Sequence, residues 1–146
     1  MKTDDIHIKT TDWARDQAQL SAVRKQVFVE EQQVPLALEL DEADATATHF
    51  LALTQQGQAV GTARLLANGH VGRMAVLADY RNQGVGSRLL QAVLSYARQQ
   101  QMPDVYLHAQ TSAINFYKKF GFVCRGDIFM DANIPHQTMS LQRDDK

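Results

Sequence analysis

One stretch constrains this chain more than any other. Met74-Ala75-Val76-Leu77 is an apolar run, and Arg81-Asn82-Gln83-Gly84-Val85-Gly86-Ser87-Arg88 follows it closely. Leu89, Leu90, Val93, Leu94 and Ala97 then recur at helical spacing. The order is strand, glycine-rich turn, helix. The first amides of a helix have no intrahelical partners, and they point into the turn that precedes it. The helix dipole adds partial positive charge at the same place, so a phosphate fits there. Gly84 and Gly86 carry no side chain to hold a ligand off the backbone, and either accepts positive φ. Arg81 and Arg88 add full charges nearby.

A glycine pair alone also fits an ordinary strand-to-helix turn, so the named phosphate motifs must be compared. A P-loop needs Lys after its last glycine, and Ser87 follows Gly86. The dinucleotide fingerprint needs a third glycine, where this chain has Leu89. A nucleotide-binding domain is therefore disfavoured, and the pattern that remains is R-x-x-G-x-G.

The rest of the chain supplies the frame. Ile6 to Thr10 alternates as a strand. Thr11 or Asp12 is a candidate cap for a helix that carries Ala18, Leu20, Val23, Val27 and Phe28, and ends before Pro35. Leu36 to Thr48 holds Glu39, Asp41, Glu42 and Asp44. It reads either as a solvated loop or as a wall of an amine-binding pocket. Phe50-Leu53 and Ala59-Leu66 flank a hairpin turn, and Asn68-Gly69 is a second one leading into His70-Val76. Arg64 and Arg73 sit in these apolar strands. If buried they need carboxylate partners, with Glu31, Glu39, Asp41 and Asp44 available; otherwise they lie on an exposed sheet face. Pro103 closes the long helix, and Val105-Ala109 is the next strand. Thr111 or Ser112 is expected to cap a short helix through Phe120, with Gly121 beyond its end. Phe122-Cys124 and Thr138-Leu141 read as a last strand pair, with Asp131 to His136 as the long connection between them. The tail, residues 142–146, is expected to fray.

The resulting order, β-α-(α)-β-β-β-α-β-α-β-β, resembles that of the GNAT superfamily of N-acetyltransferases, as does the R-x-x-G-x-G turn at the head of the long helix. Ala113-Ile114-Asn115-Phe116-Tyr117-Lys118-Lys119-Phe120-Gly121-Phe122 resembles the superfamily's short helix ending in Tyr and followed by Gly-Phe. Val27-Phe28-Val29-Glu30-Glu31-Gln32, Glu39-x-Asp41-x-x-Asp44, His49, Ala109-Gln110 and Asn133-Ile134-Pro135-His136 are similar to the small bacterial ElaA-like subgroup. The likeness covers nearly the whole chain.

The resemblance implies a mixed, mostly antiparallel α/β (α+β) sheet flanked by helices, forming one N-acetyltransferase domain over residues 1–146. It implies acetyl-CoA as acyl donor and direct attack by a primary amine in a ternary complex. Arg81, Asn82, Gln83, Gly84, Val85, Gly86 and Ser87 would hold the pyrophosphate. The edge of Met74-Ala75-Val76 would pair with the pantetheine arm as an added strand and offer an N–H to the thioester oxygen. Many superfamily members carry Asn seven residues before the helix Tyr; here Gln110 stands there, beside the same arm.

Tyr117 is the candidate acid for the leaving thiolate, because a phenol of pKa near ~10 keeps its proton at neutral pH. Candidate bases are His108, Glu31 and His136, unless water relays the proton. Glu31, Asp41 and His136 are the candidate acceptor pocket. The alternative is a non-catalytic acyl-CoA sensor or interaction module on the same fold.

Composition narrows the partners. A net charge of −1 gives no argument for nucleic acid or an anionic membrane. No apolar run approaches the ~20 residues of a membrane span, and the polar N-terminus has no signal-peptide core, so a cytoplasmic location is expected. The single Cys124 excludes an internal disulfide framework and a Cys-rich zinc site, and no metal is expected. A homodimer is the candidate assembly.

Overall fold

The computed structural model describes residues 5–39 and 41–142. The expected fraying of residues 143–146 concerns positions outside that set. Strand β1 spans His7–Thr11 and helix α1 spans Trp13–Arg24. Asp12 caps α1, its carboxylate accepting from the Arg15 amide at 2.9 Å. The helix continues as a wider π-helical segment over Lys25–Glu31. Gln33, at φ +61°, ends the helical path before Pro35. A short helix α2, Leu36–Glu39, and a 3-10 turn, Glu42–Ala45, follow.

Strands β2 (Thr48–Leu53), β3 (Ala59–Leu65) and β4 (His70–Val76) form the antiparallel meander that the two hairpin signals predict. Helix α3 (Val85–Gln99) crosses over to β5 (Tyr106–Gln110), which lies parallel to β4. A 3-10 turn at Thr111–Ala113 and helix α4 (Ile114–Lys118) lead to β6 (Phe122–Asp131) and β7 (Ile134–Leu141). The seven strands lie in the order β1-β2-β3-β4-β5-β7-β6.

Two local expectations are corrected. Neither Thr111 nor Ser112 caps α4; Ala113 stands at the cap position and no side chain bonds the helix end. The long connection from Asp131 to His136 is instead a tight hairpin: Ala132 and Asn133 turn the chain at φ +52° and +64°, and the strands extend up to them. Positive φ at both central residues matches the right-handed twist of the strands, and Asn tolerates it.

The core lies on both sides of the sheet. Leu89, Leu90, Val93 and Ala97 of α3 pack with Phe50, Ala63 and Leu65 on one face. Val23 and Val27 pack on Ala75 on the other. This clamps β3 and β4 between α3 and the first helix and fixes their strand edges relative to the glycine turn.

Candidate active site

The site begins where two parallel strands part. β4 and β5 pair only at His70–Tyr106 and Val71–Leu107. Beyond Val71, β4 bulges against β3, and Arg73 takes φ +48° in mid-strand. The Leu77 amide donates to the Val60 carbonyl at 2.9 Å. Backbone groups alternate along an antiparallel strand, so Leu77 and Ala75 face β3. Met74 and Val76 then turn their amides and carbonyls toward the gap that β5 leaves. The Val76 carbonyl accepts from Arg81 Nε at 2.8 Å.

The glycine turn closes one end of this gap. Asn82 and Gly84 take left-handed backbone, at φ +62° and +84°. Gly84 is the residue before α3, no side chain caps the helix, and its first intrahelical bond runs from Arg88 N to the Gly84 carbonyl. The amides of Val85, Gly86 and Ser87 are thus the orphan donors. A Cβ added at Gly86 would meet Phe116 at 3.6 Å and Val76 at 3.9 Å, ordinary contacts. The protein's own packing therefore does not require glycine there. Open amides, an open strand edge and a turn bared by Gly84 and Gly86 together fit an acyl-CoA.

Between β4 and β5 lies a cleft of about 270 Å³. Tyr117, His108, Gln110 and His136 line it with Met74, Arg73 and Glu39. The Tyr117 ring packs edge-on to Phe116 and Phe122. Burial pushes its phenol up to about 12, so it holds its proton throughout the neutral range. Burial lowers the His108 pKa and nearby His136 lowers it further, against the pull of Asp131. Its Nδ1 lies 2.9 Å from the Thr138 hydroxyl. His136 donates from Nδ1 to the Ile134 carbonyl at 2.7 Å. His70 also lines the cleft, stacked on Tyr106 and edge-on to His108, and burial followed by His108 pushes its pKa down to about 4.

The acidic stretch turns inward. Arg24, 1% exposed, donates to Glu39 Oε2 from Nε at 2.6 Å and to both Asp44 oxygens at 2.9 and 3.0 Å. Arg64 Nη1 donates to Asp41 Oδ2 at 2.9 Å and Asp44 Oδ1 at 3.0 Å. Arg73 Nη2 donates to the Glu39 carbonyl at 3.1 Å. Three arginines thus balance three carboxylates beneath one wall of the cleft. The solvated-loop and exposed-arginine alternatives do not describe the protein.

Other candidates lie elsewhere. Glu31 is outside the cleft lining; its two oxygens accept from Arg81 Nη1 and Nη2, each at 2.6 Å. Asp41 also lies behind the lining, on Arg64. Gln110 Nε2 donates to Gln32 Oε1 at 3.0 Å. Arg88 Nη1 donates to the Ile6 carbonyl. Sequence reading did not single out Arg24 or His70. Arg24 carries a signal in retrospect, as a lone charge on the apolar side of α1 beside Leu20, Val23 and Val27. His70 carries none beyond its place after a hairpin turn. Among the described residues, no group of three or more His, Cys, Asp or Glu side chains is placed to hold a metal ion. No described helix is long and apolar enough to cross a membrane.

A sheet of this order, parted between β4 and β5 beside an uncapped helix, defines the acyl-CoA N-acyltransferase fold, which implies an acyl-CoA donor and an amine acceptor. Comparison agrees. An acyl-CoA N-acyltransferase from Pseudomonas aeruginosa superposes with a TM-score of 0.85 at 28% identity, covering 94% of this chain and 99% of that one. ElaA of Escherichia coli superposes at 0.83 with 27% identity, covering 93% and 99%. The uncharacterized N-acetyltransferase YjcF of Bacillus subtilis is 36% identical over 121 residues, 80% of this chain and 86% of that protein. The acetyltransferase (GNAT) domain family matches residues 12–143. The chain belongs to the GNAT acetyltransferase family.

Proposed function

We propose that this protein is an acetyl-CoA-dependent N-acetyltransferase that moves the acetyl group directly to a primary amine in a ternary complex. The observation that carries the reading is the succession of three features along the parting of β4 from β5: the uncapped amides of α3 at one end, the β4 edge at Met74 and the Val76 amide, and the protonated Tyr117 phenol in the cleft. In this reading Val85, Gly86 and Ser87 hold the pyrophosphate, with Arg81, Asn82, Gln83 and Gly84 shaping the turn. Met74, Ala75 and Val76 hold the pantetheine arm along the strand edge, and Gln110 faces it from β5.

Acetyl-CoA supplies an activated acyl group, so the protein's part is to position the amine, manage two protons and exclude water. The amine nitrogen forms a bond to the acyl carbon as the carbon–sulfur bond breaks. His108 accepts the amine's proton, which its lowered pKa permits because the imidazole is neutral at pH 7. The Tyr117 hydroxyl gives its proton to the departing sulfur. A backbone N–H of the β4 edge stabilises the charge that develops on the acyl oxygen.

Thiol release from acetyl-CoA, measured across a panel of primary amines, tests this. Amine-dependent release is the expected result. Tight acetyl-CoA binding with no release for any amine would instead favour an acyl-CoA-binding module.

A further inference from the structure

The cluster behind the cleft leaves a particular set of groups unused. Arg64 is 3% exposed and spends both Nη1 protons on Asp41 and Asp44, while its buried Nε has no partner. Its Nη2 has no hydrogen bond to any described residue, yet it is not among the fully enclosed atoms. Arg73 donates only from Nη2. Its Nε lies 3.4 Å from Glu39 Oε2 without forming a hydrogen bond, and its Nη1, likewise not enclosed, has none. Both side chains line the cleft. Gly72, between them on the lining, leaves Arg64 Nη2 uncovered: a Cβ there would lie 3.9 Å from that nitrogen and meet nothing closer.

These open N–H donors reach the cleft from side chains otherwise held by the cluster, so a ligand that enters the cleft can complete them. A planar anion matches the guanidinium fork. We propose that Arg64 and Arg73 bind a carboxylate of the amine acceptor through these open nitrogens, so that the acceptor is an amino acid rather than a simple amine. The inference rests on reading the cleft as the acyl-transfer site. The donor's phosphates belong at the other end of β4, past Val76. Gly72 and Arg73 lie toward His70 and His108, where the acceptor enters.

The test pairs each common α-amino acid with the amine that lacks its carboxyl group. Each pair is titrated by calorimetry into the full chain saturated with CoA, and assayed for turnover with acetyl-CoA and with succinyl-CoA. The expected result is at least one amino acid that binds more than ten-fold tighter than its partner amine. In Gly72→Leu, whose side chain covers Arg64 Nη2 and removes no charge, that affinity falls ten-fold or more. Acetyl-CoA affinity and the melting temperature hold. Equal affinity within every pair, or no binding by any amino acid, overturns the proposal, and the wild-type pairs decide this even if Gly72→Leu does not fold. A preference for succinyl-CoA with carboxyl-free amines overturns it too, by assigning the anion to the donor. Selective amino-acid binding without turnover upholds the subsite and counts against the transferase reading instead.

Discussion

Arg81 and Glu31, fifty residues apart in sequence, face each other as a two-pronged ion pair, with both nitrogen–oxygen distances at 2.6 Å. The pair joins the glycine turn to the end of the π-helical segment. The Arg81 hydrogen bonds hold the Glu31 carboxyl below its usual range. Arg81 thus meets the phosphate end of the site with its charge already answered. Both side chains are substantially exposed, and such pairs contribute little. In the proposed function, acetyl-CoA would compete with Glu31 for the guanidinium. Glu31→Gln is expected to tighten acetyl-CoA binding by a few-fold, roughly the ~0–1 kcal/mol of an exposed pair. Calorimetric titration checks this, and weaker binding would mean that Glu31 orders the turn for the ligand rather than competing with it.

Gly86 offers a cleaner probe of the turn than Gly84. Its φ is not in the left-handed region, and an added Cβ meets only ordinary contacts. Gly86→Val is therefore expected to fold with a melting temperature close to wild type and to lose at least ten-fold in acetyl-CoA affinity. Gly84→Val would add strain at φ +84° and confuse stability with binding. Wild-type affinity in a folded Gly86→Val would remove the pyrophosphate assignment.

Arg24 holds the buried cluster together. Removing it leaves Glu39 and Asp44, each under 5% exposed, without their main partner. Breaking a buried pair in this way costs about 3–5 kcal/mol. Arg24→Met is expected to lower stability by that order in urea unfolding, and Arg15→Met, at an exposed pair, by under about 1 kcal/mol. Equal losses in the two variants would contradict the picture.

The same cluster sets the acid limb of stability. Burial raises the Asp44 carboxyl, but Arg24 and then Arg64 outweigh it and hold the group below its usual range. A carboxyl depressed in the folded state contributes stability that is full above its unfolded pKa, near ~3.9, and is lost as pH falls through the folded value. Thermal melts are expected to show little dependence on this group above about pH 5 and a loss below about pH 4. A stability maximum below pH 4 would contradict the sign.

Much of the fold was legible because its signals are local. Asn68-Gly69 marks a turn by backbone conformation, α3 is marked by the spacing of Leu89, Leu90, Val93 and Ala97, and Gly84 by the φ it takes. The misses are non-local or weakly encoded. Nothing within α1 tells Arg24 that its partners lie beyond Pro35, because that pairing depends on the tertiary path of α2. The Ala132-Asn133 turn escaped notice because Ala is a poor positive-φ residue and no glycine flags it. The expected cap at Thr111 or Ser112 fails because a 3-10 turn occupies those residues and shifts the helix start to Ile114. At the site, the residues expected on β5 and α4 share one cleft, whereas Glu31 is drawn off by Arg81. Spacing along a chain says which side chains can come near one another, and competition between partners decides which do.

Tyr117→Phe separates chemistry from binding. It keeps the ring packing against Phe116 and Phe122 and removes only the hydroxyl. Loss of a positioned acid is expected to cost on the order of 10²-fold or more in single-turnover rate. Acetyl-CoA affinity should change little. A fall in both would make the hydroxyl a binding contact, and a fall in neither would make Tyr117 a packing residue.

The most direct test of the central claim follows the acetyl group itself. Acetyl-CoA labelled in the acetyl carbons is mixed with a slight excess of protein and an accepted amine, and the products are read by mass spectrometry over one turnover. Direct transfer predicts that labelled N-acetyl amine and free CoA thiol appear together at one rate, with no label on the protein. Label held on the protein before the amine is acetylated, label released as acetate, or a thioester that stays intact would each contradict it.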